Sequence, residues 1–280
     1  MITLNPASNA CVFGPVASGK TNLMREWLTR ENRYVRFDYV GDTWREADAT
    51  VEHINSLPKF VDRLESNPYY FKIAYHPGKQ VMEHYLWVQR ALWILNTPRW
   101  LAVDEYHKIC PQTPLLDEDV EYSLRFARHN QLGIIGMSQR PQDVHKLFVS
   151  SARLCVVFMS QEENYLNACA GHWGSDVADA VSQLRPLIYD DTTGVVQQKQ
   201  QCVVITRDGR PPTVYDFATD KSIPISQFLN SPEQFGTQKD IDYLGEGGQG
   251  EIDRDLEQTG PSSASVSQGP RNNGDPGETV

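Results

Sequence analysis

The sequence has no stretch of about 18 or more consecutive apolar residues, so a membrane-spanning helix is not expected. Its longest apolar-rich segment, Val81 to Leu95, is broken by Glu83, His84, Gln89 and Arg90, which suits a soluble helix. The opening residues, Met1 to Pro6, lack the basic region and apolar run of a secretory signal, so none is expected. The five cysteines, at 11, 110, 155, 169 and 202, form no C-x-x-C pair and no metal spacing. That pattern points to a reduced intracellular protein whose cysteines serve as small core residues. His107 and His172 have no His or Cys at ligand spacing, so no structural zinc is expected. No internal repeat of fixed period is present, which excludes a solenoid.

An excess of positive charge is missing too, and its distribution matters more than its total. The net charge is −10 over 280 residues. Residues 231–280 hold ten acidic and three basic side chains, while residues 1–230 hold 26 acidic against 23 basic. A nearly balanced body can carry local basic patches, so the acidic total does not exclude nucleic acid as a partner. The last fifty residues also contain nine of the nineteen glycines and only two aromatics. A segment of that composition cannot bury enough apolar surface to offset its ordering entropy. The chain therefore divides into a folded domain, 1–230, and a disordered Gly/Ser/acidic tail, 231–280.

The folded part alternates strands and helices. Strands are expected at 10–13, 34–38, 70–75, 100–103, 132–137 and 154–159, and helices at 20–30, 58–64, 81–96, 119–130, 162–170 and 176–184. Residues 202–206 and 213–217, joined through Asp208-Gly-Arg-Pro-Pro212, read as a closing hairpin. Alternating β and α elements imply an α/β fold with a mostly parallel sheet flanked by helices on both faces.

Directly after the first strand stands Gly14-Pro15-Val16-Ala17-Ser18-Gly19-Lys20-Thr21, a complete G-x-x-x-x-G-K-T phosphate loop. Gly14 and Gly19 permit backbone turns that let successive N–H groups face the phosphates of ATP. Lys20 is placed to reach the terminal phosphates, Thr21 to put its hydroxyl on Mg²⁺, and the helix that begins there adds its positive end. A chain of this length meets the bare pattern by chance roughly once in a hundred. The preceding strand and following apolar helix make chance rarer still.

Two further elements follow in order. Trp100-Leu-Ala-Val-Asp104-Glu105 is an apolar strand ending in two carboxylates: Asp104 suits the Mg²⁺ ion, and Glu105 suits deprotonation of an attacking water. Gly133-Ile-Ile-Gly-Met-Ser-Gln139 is an apolar strand ending in an amide that can sense the γ-phosphate. No Asn-Lys-x-Asp run is present to read guanine.

As an ordered set, Gly14–Thr21, Leu101–Glu105 and the Gly-Ile…Ser-Gln-Arg-Pro segment at 133–141 resemble the HerA–FtsK superfamily of DNA-pumping ATPases, over residues 8 to 170. The resemblance implies a RecA-like P-loop core working as a homo-oligomeric ring, usually a hexamer, on double-stranded DNA. It also implies an arginine supplied by the neighbouring subunit, and Arg128 matches that position best, with Arg125 in reserve. Within the superfamily the chain is similar to the compact genome-packaging ATPases of membrane-containing, double-jelly-roll viruses. Capsid or membrane-vertex proteins are then further partners, and the host cytoplasm and the virion are the expected locations. The filamentous-phage assembly ATPases are similar in Asp104-Glu-Tyr-His and Arg128-His129 but generally continue into a transmembrane segment. A small-molecule P-loop phosphotransferase and a non-hydrolysing scaffold remain as other classes.

DNA contacts are faint in the sequence. Arg45, Lys79, Arg90 and Lys146 are candidates by loop or surface position alone. Trp44, Tyr69, Tyr70 and Tyr75 read as core or interface residues rather than base-stacking platforms.

Overall fold

The structure is a computed structural model that describes residues 2, 4, 8–39, 50–95, 97–113, 116–189 and 196–231. The expected tail from residue 232 onward, together with Trp44 and Arg45, lies outside the described residues. The elements run β1 (Ala10–Phe13), α1 (Lys20–Thr29), β2 (Arg33–Phe37), β3 (Glu52–Ile54), α2 (Leu57–Ser66), β4 (Phe71–Tyr75) and α3 (Val81–Ile94). They continue with β5 (Arg99–Val103), α4 (Glu118–Phe126), β6 (Leu132–Ser138), α5 (Lys146–Ser151), β7 (Leu154–Phe158), α6 (Glu163–Trp173) and α7 (Ser175–Gln183). The last are β8 (Ile188–Tyr189), β9 (Val196–Gln198), β10 (Gln201–Thr206), β11 (Thr213–Asp216), β12 (Lys221–Pro224) and α8 (Ile225–Asn230).

Ten strands form one sheet in the order β12-β11-β10-β7-β1-β6-β5-β2-β4-β3. From β7 to β3 every pairing is parallel, and β10, β11 and β12 extend the sheet antiparallel. The expected hairpin is β10–β11, with β12 as an unexpected third strand. The phosphate-loop strand β1 lies centrally, between β6 and β7, and β6 separates it from β5.

Alternation explains both faces. Cys11, Phe13, Leu101, Val103, Cys155 and Val157 pack into one core with residues of α2 through α8. Ala10, Val12, Trp100, Ala102, Val156 and Phe158 face a second core built on Leu23, Met24, Trp27 and Leu28 of α1. The two-faced covering is therefore lopsided: among the described residues, α1 is the one helix on its face. All five cysteines are free and buried. Burial pushes the Cys110 and Cys169 thiols up to about 12, so they act as packing groups.

The helix expected over 119–130 divides in two. Asp117 caps α4 by accepting from Asp119 N at 2.9 Å, and α4 ends at Phe126. Ala127–Asn130 then tightens into a 3₁₀ turn that closes with Gln131 in the left-handed region, φ +57. That turn feeds the chain straight into β6, because Arg99 N donates to Gln131 O at 3.1 Å.

Gly133 shows why the Gly-Ile run begins with glycine. A Cβ there would lie 2.1 Å from Cζ3 of Trp100, which is 1% exposed and cannot step aside. Gly133→Ala is expected to destabilise the domain by about 1–3 kcal/mol through overpacking. Thermal unfolding checks this, and an unchanged Tm would contradict the close approach.

Candidate active site

Because β1, β2, β5 and β6 run parallel, the residues that follow them leave the sheet at one edge. Gly14 follows β1, Asp38 follows β2, Asp104 and Glu105 follow β5, and Gln139 follows β6. Gly14 N donates to Ser138 O at 3.3 Å, tying the phosphate loop to the end of β6.

Within the loop, Ala17 (φ +62) and Gly19 (φ +95) adopt left-handed backbone, which curves the chain into an anion-binding nest. Gly14 is not in that region. Its glycine is required by space, because a Cβ would stand 2.5 Å from Ser18 Oγ and 2.8 Å from Phe158 Cβ. A side chain is thus excluded at both glycines, at Gly14 by space and at Gly19 by backbone conformation as well. Pro15, Val16 and Ala17 form the exposed crest of the loop, and among the described residues the buried Ser18 Oγ has no hydrogen-bond partner. α1 begins at Lys20, so its positive end faces the same space, with Thr21 as its second residue. The Lys20 ammonium donates to Gly14 O at 2.6 Å and Pro15 O at 2.7 Å. Burial pulls the Lys20 pKa down, and Asp104 and Glu105 oppose that shift.

The carboxylates are held unequally. Asp104 is buried, and its Oδ1 accepts from Glu105 N at 2.8 Å. Desolvation raises the Asp104 pKa, as do the neighbouring carboxylates Glu105 and Asp38. Glu105 sits at φ +47, in the left-handed region, a costly conformation for a non-glycine residue. Its Oε1 accepts from Gln139 Nε2 at 2.9 Å, and its Oε2 lies 3.2 Å from His107 Nδ1. The amide expected to sense phosphate therefore already holds the carboxylate expected to activate water. A divalent cation suits Asp104 itself, a buried carboxylate made costlier by the charges of Glu105 and Asp38, though among the described residues no three acidic or histidine side chains converge to hold a metal by themselves.

Arg128 lies at the opposite end of β6. That strand's seven residues place it about 20 Å from Gly14 at the usual rise of a strand. Exposed, and with its guanidinium in no ion pair or hydrogen bond among the described residues, Arg128 lines a 510 Å³ cleft with Arg125, Arg153 and Arg207. Among the described residues no carboxylate lines that cleft. Arg125 is engaged by Glu121 at 2.7 Å, which leaves Arg128 as the freer of the two candidates.

Among the residues marked as DNA candidates, Lys79 and Lys146 are exposed, and Arg90 pairs with Asp119. Tyr75 is fully buried against Phe37 and Phe60, whereas Tyr69 and Tyr70 are exposed. Sequence reasoning missed Asp38, His107 as a partner of Glu105, and Gln200, whose Nε2 would be 2.4 Å from a Cβ on Gly19. Asp38 had a signal, a carboxylate ending an apolar strand, but its neighbour in space depends on the β5–β2 pairing.

No family model matches the chain, and no curated protein matches it. Solved structures do. The genome packaging NTPase B204 from Sulfolobus turreted icosahedral virus 2 in complex with sulfate is similar, at TM-score 0.61 and 16% identity, covering 75% of this chain and 96% of that one. The same NTPase in complex with ATP-gammaS gives TM-score 0.60 and 17% identity, over 79% of this chain and 100% of that one. B204, the DNA-packaging ATPase from Sulfolobus turreted icosahedral virus, gives TM-score 0.57 and 16% identity, over 75% and 98%. At these identities the likeness shows the fold, an α/β RecA-like P-loop core.

Proposed function

We propose that this chain is an ATP-hydrolysing motor of the HerA–FtsK type that works as a ring, usually a hexamer, and moves double-stranded DNA into a viral particle. The observation that carries the hydrolase reading is Glu105, fixed at one end of the sheet by Gln139 on one oxygen and His107 near the other. A carboxylate so held beside a phosphate loop is oriented to take a proton from water.

In this reading the loop's N–H groups and Lys20 bind the triphosphate, Gln139 orients Glu105, and Glu105 accepts the proton of the attacking water. Thr21 and Asp104 hold Mg²⁺, which supplies charge neutralisation on the phosphates. The separation of Arg128 from its own phosphate loop supports its service to a neighbour's site. Solved packaging ATPases of the same fold support the DNA-packaging role, with capsid or membrane-vertex proteins as further partners and the host cytoplasm and virion as its locations. Among the described residues no helix is long and apolar enough to cross a membrane.

The test is phosphate release with and without double-stranded DNA, measured alongside particle mass. DNA is expected to raise turnover several-fold in a ring-sized particle, with a salt-sensitive response because the grip falls on backbone phosphates. Phosphate transfer that requires a small-molecule acceptor would overturn the motor reading in favour of a kinase. Glu105→Gln keeps the size of the side chain but removes the base. Its kcat is expected to fall about a hundredfold with ATP affinity unchanged, as read by single-turnover hydrolysis and equilibrium binding.

A further inference from the structure

The cleft that Arg128 lines adjoins a second one, of 380 Å³, and the two share Arg125, Leu147, Ser150 and Arg207. Lys146 stands in the second, so one groove runs past four arginines and a lysine. Among the described residues Glu121 is the one carboxylate that lines it, and Arg125 already engages that carboxylate at 2.7 Å.

The floor of the groove is fixed. Asn9, 7% exposed, donates to Leu124 O at 3.2 Å and to Ser151 Oγ at 3.1 Å, which joins α4 to α5. Arg153 N donates to Asn9 O at 2.9 Å and Arg207 N to Arg153 O at 3.0 Å, so the two arginines stand on neighbouring strands. Arg207 is steadied further by its Nη2, which donates to Val149 O at 3.3 Å. Arg128, Lys146 and Arg153 are exposed. Cations gathered with so little opposing charge raise the local potential, and an anion relieves it.

The sequence carries such an anion. Glu251-Ile-Asp-Arg-Asp-Leu-Glu257 has a carboxylate at every second position. In an extended chain alternate side chains share one side at a spacing of about 7 Å, so Glu251, Asp253, Asp255 and Glu257 would form an acidic edge over about 20 Å. Arg254 would fall on the other side, with Ile252 and Leu256. Arginine and carboxylate make the stronger, charge-assisted kind of hydrogen bond. A cleft of 510 Å³ admits a single extended chain, whereas a double helix is too wide to enter it, which favours a peptide over DNA as the occupant.

We propose that this groove docks the acidic segment Glu251–Glu257 of another copy of the chain. That the segment comes from another copy rests on the ring reading above, in which Arg128 faces the adjoining subunit. A segment seated there also occupies Arg128, so docking competes with the phosphates that Arg128 is proposed to serve.

The test is carbodiimide coupling of the full chain without nucleotide, which joins a lysine ammonium to a carboxylate in contact with it. The expected product runs at twice the mass of the chain on a denaturing gel, and its mapped junction joins Lys146 to a carboxylate within 251–257. Lys146→Arg, which keeps the charge but removes the amine, is expected to abolish that junction. Arg153→Ala, and Asp253→Asn combined with Asp255→Asn, are each expected to lower its yield several-fold with the fold unchanged. High salt is expected to do the same, by screening exposed charges. A junction found only in chains of single mass overturns docking between copies. Lys146 coupled to Glu121 alone, or a junction whose yield ignores both Arg153→Ala and salt, overturns the groove as the docking site. Failure of the motor reading shows instead as absent phosphate release, which this coupling does not depend on.

Discussion

Lys20→Ala is expected to abolish phosphate release and to weaken nucleotide binding by about two orders of magnitude or more, while the fold stays intact. The ammonium donates into the loop's own carbonyls, at Gly14 and Pro15. Its removal takes away the charge that meets the terminal phosphates, and also the two bonds that shape the loop before binding. Stability responds differently. Burial lowers the Lys20 pKa, so the folded chain holds that charge at a cost which Asp104 and Glu105 only partly offset. Alanine removes the cost together with the function. Thermal unfolding should therefore move by no more than a few degrees, while turnover falls below detection. Residual DNA-stimulated turnover in the variant would show that the phosphates bind elsewhere.

Arg128→Ala is expected to lower turnover about a thousandfold, the usual worth of an arginine that stabilises charge on a transferring phosphoryl group, with ATP affinity nearly unchanged. The two variants are more informative together than apart. In a ring with head-to-tail contacts, a subunit lacking Arg128 keeps its phosphate loop, and one lacking Lys20 keeps its arginine. Random one-to-one mixing should rebuild about a quarter of the sites, since each needs one intact half from each variant. Recovery of turnover on mixing, read against either variant alone, identifies Arg128 as acting across the boundary. A mixture as inactive as its components would overturn action across the boundary and place the arginine's effect within its own subunit.

Much of this was legible because its causes are local. The strand–loop–helix of residues 10–29 is written in four apolar residues, two glycines with separate steric reasons, and the apolar stripe Leu23, Met24, Trp27, Leu28. Asp104, Glu105 and Gln139 were legible as neighbours because parallel strands end at one edge, so order in the chain translates into position in space. What stayed hidden depends on lateral pairing. Asp38 presses on Asp104 only because β2 lies beside β5, and Gly133 is required only because the Trp100 ring crosses from the neighbouring strand. Gln200 lies far from the phosphate loop in sequence, and a glutamine at a strand start carries no periodic signal. The 3₁₀ turn holding Arg128 was read as helix because both forms place apolar residues on one side over a single turn.

Strand β6 has a consequence of another kind. All seven of its residues are buried, it pairs with β5 from Leu132 to Gly136 and with β1 from Ile135 to Ser138, and it carries Gln139 at one end and the turn of Arg128 at the other. Packed interiors resist compression, so such a strand behaves as a stiff strut. In the ring proposed above, its two ends would address two different ATP molecules: Gln139 the subunit's own, Arg128 the next one. A displacement of the Gly14–Ser138 link when one phosphate leaves would then be carried along the strand to the turn that holds the arginine. The order in which subunits fire would be set by the rigidity of a single strand, with no separate relay required.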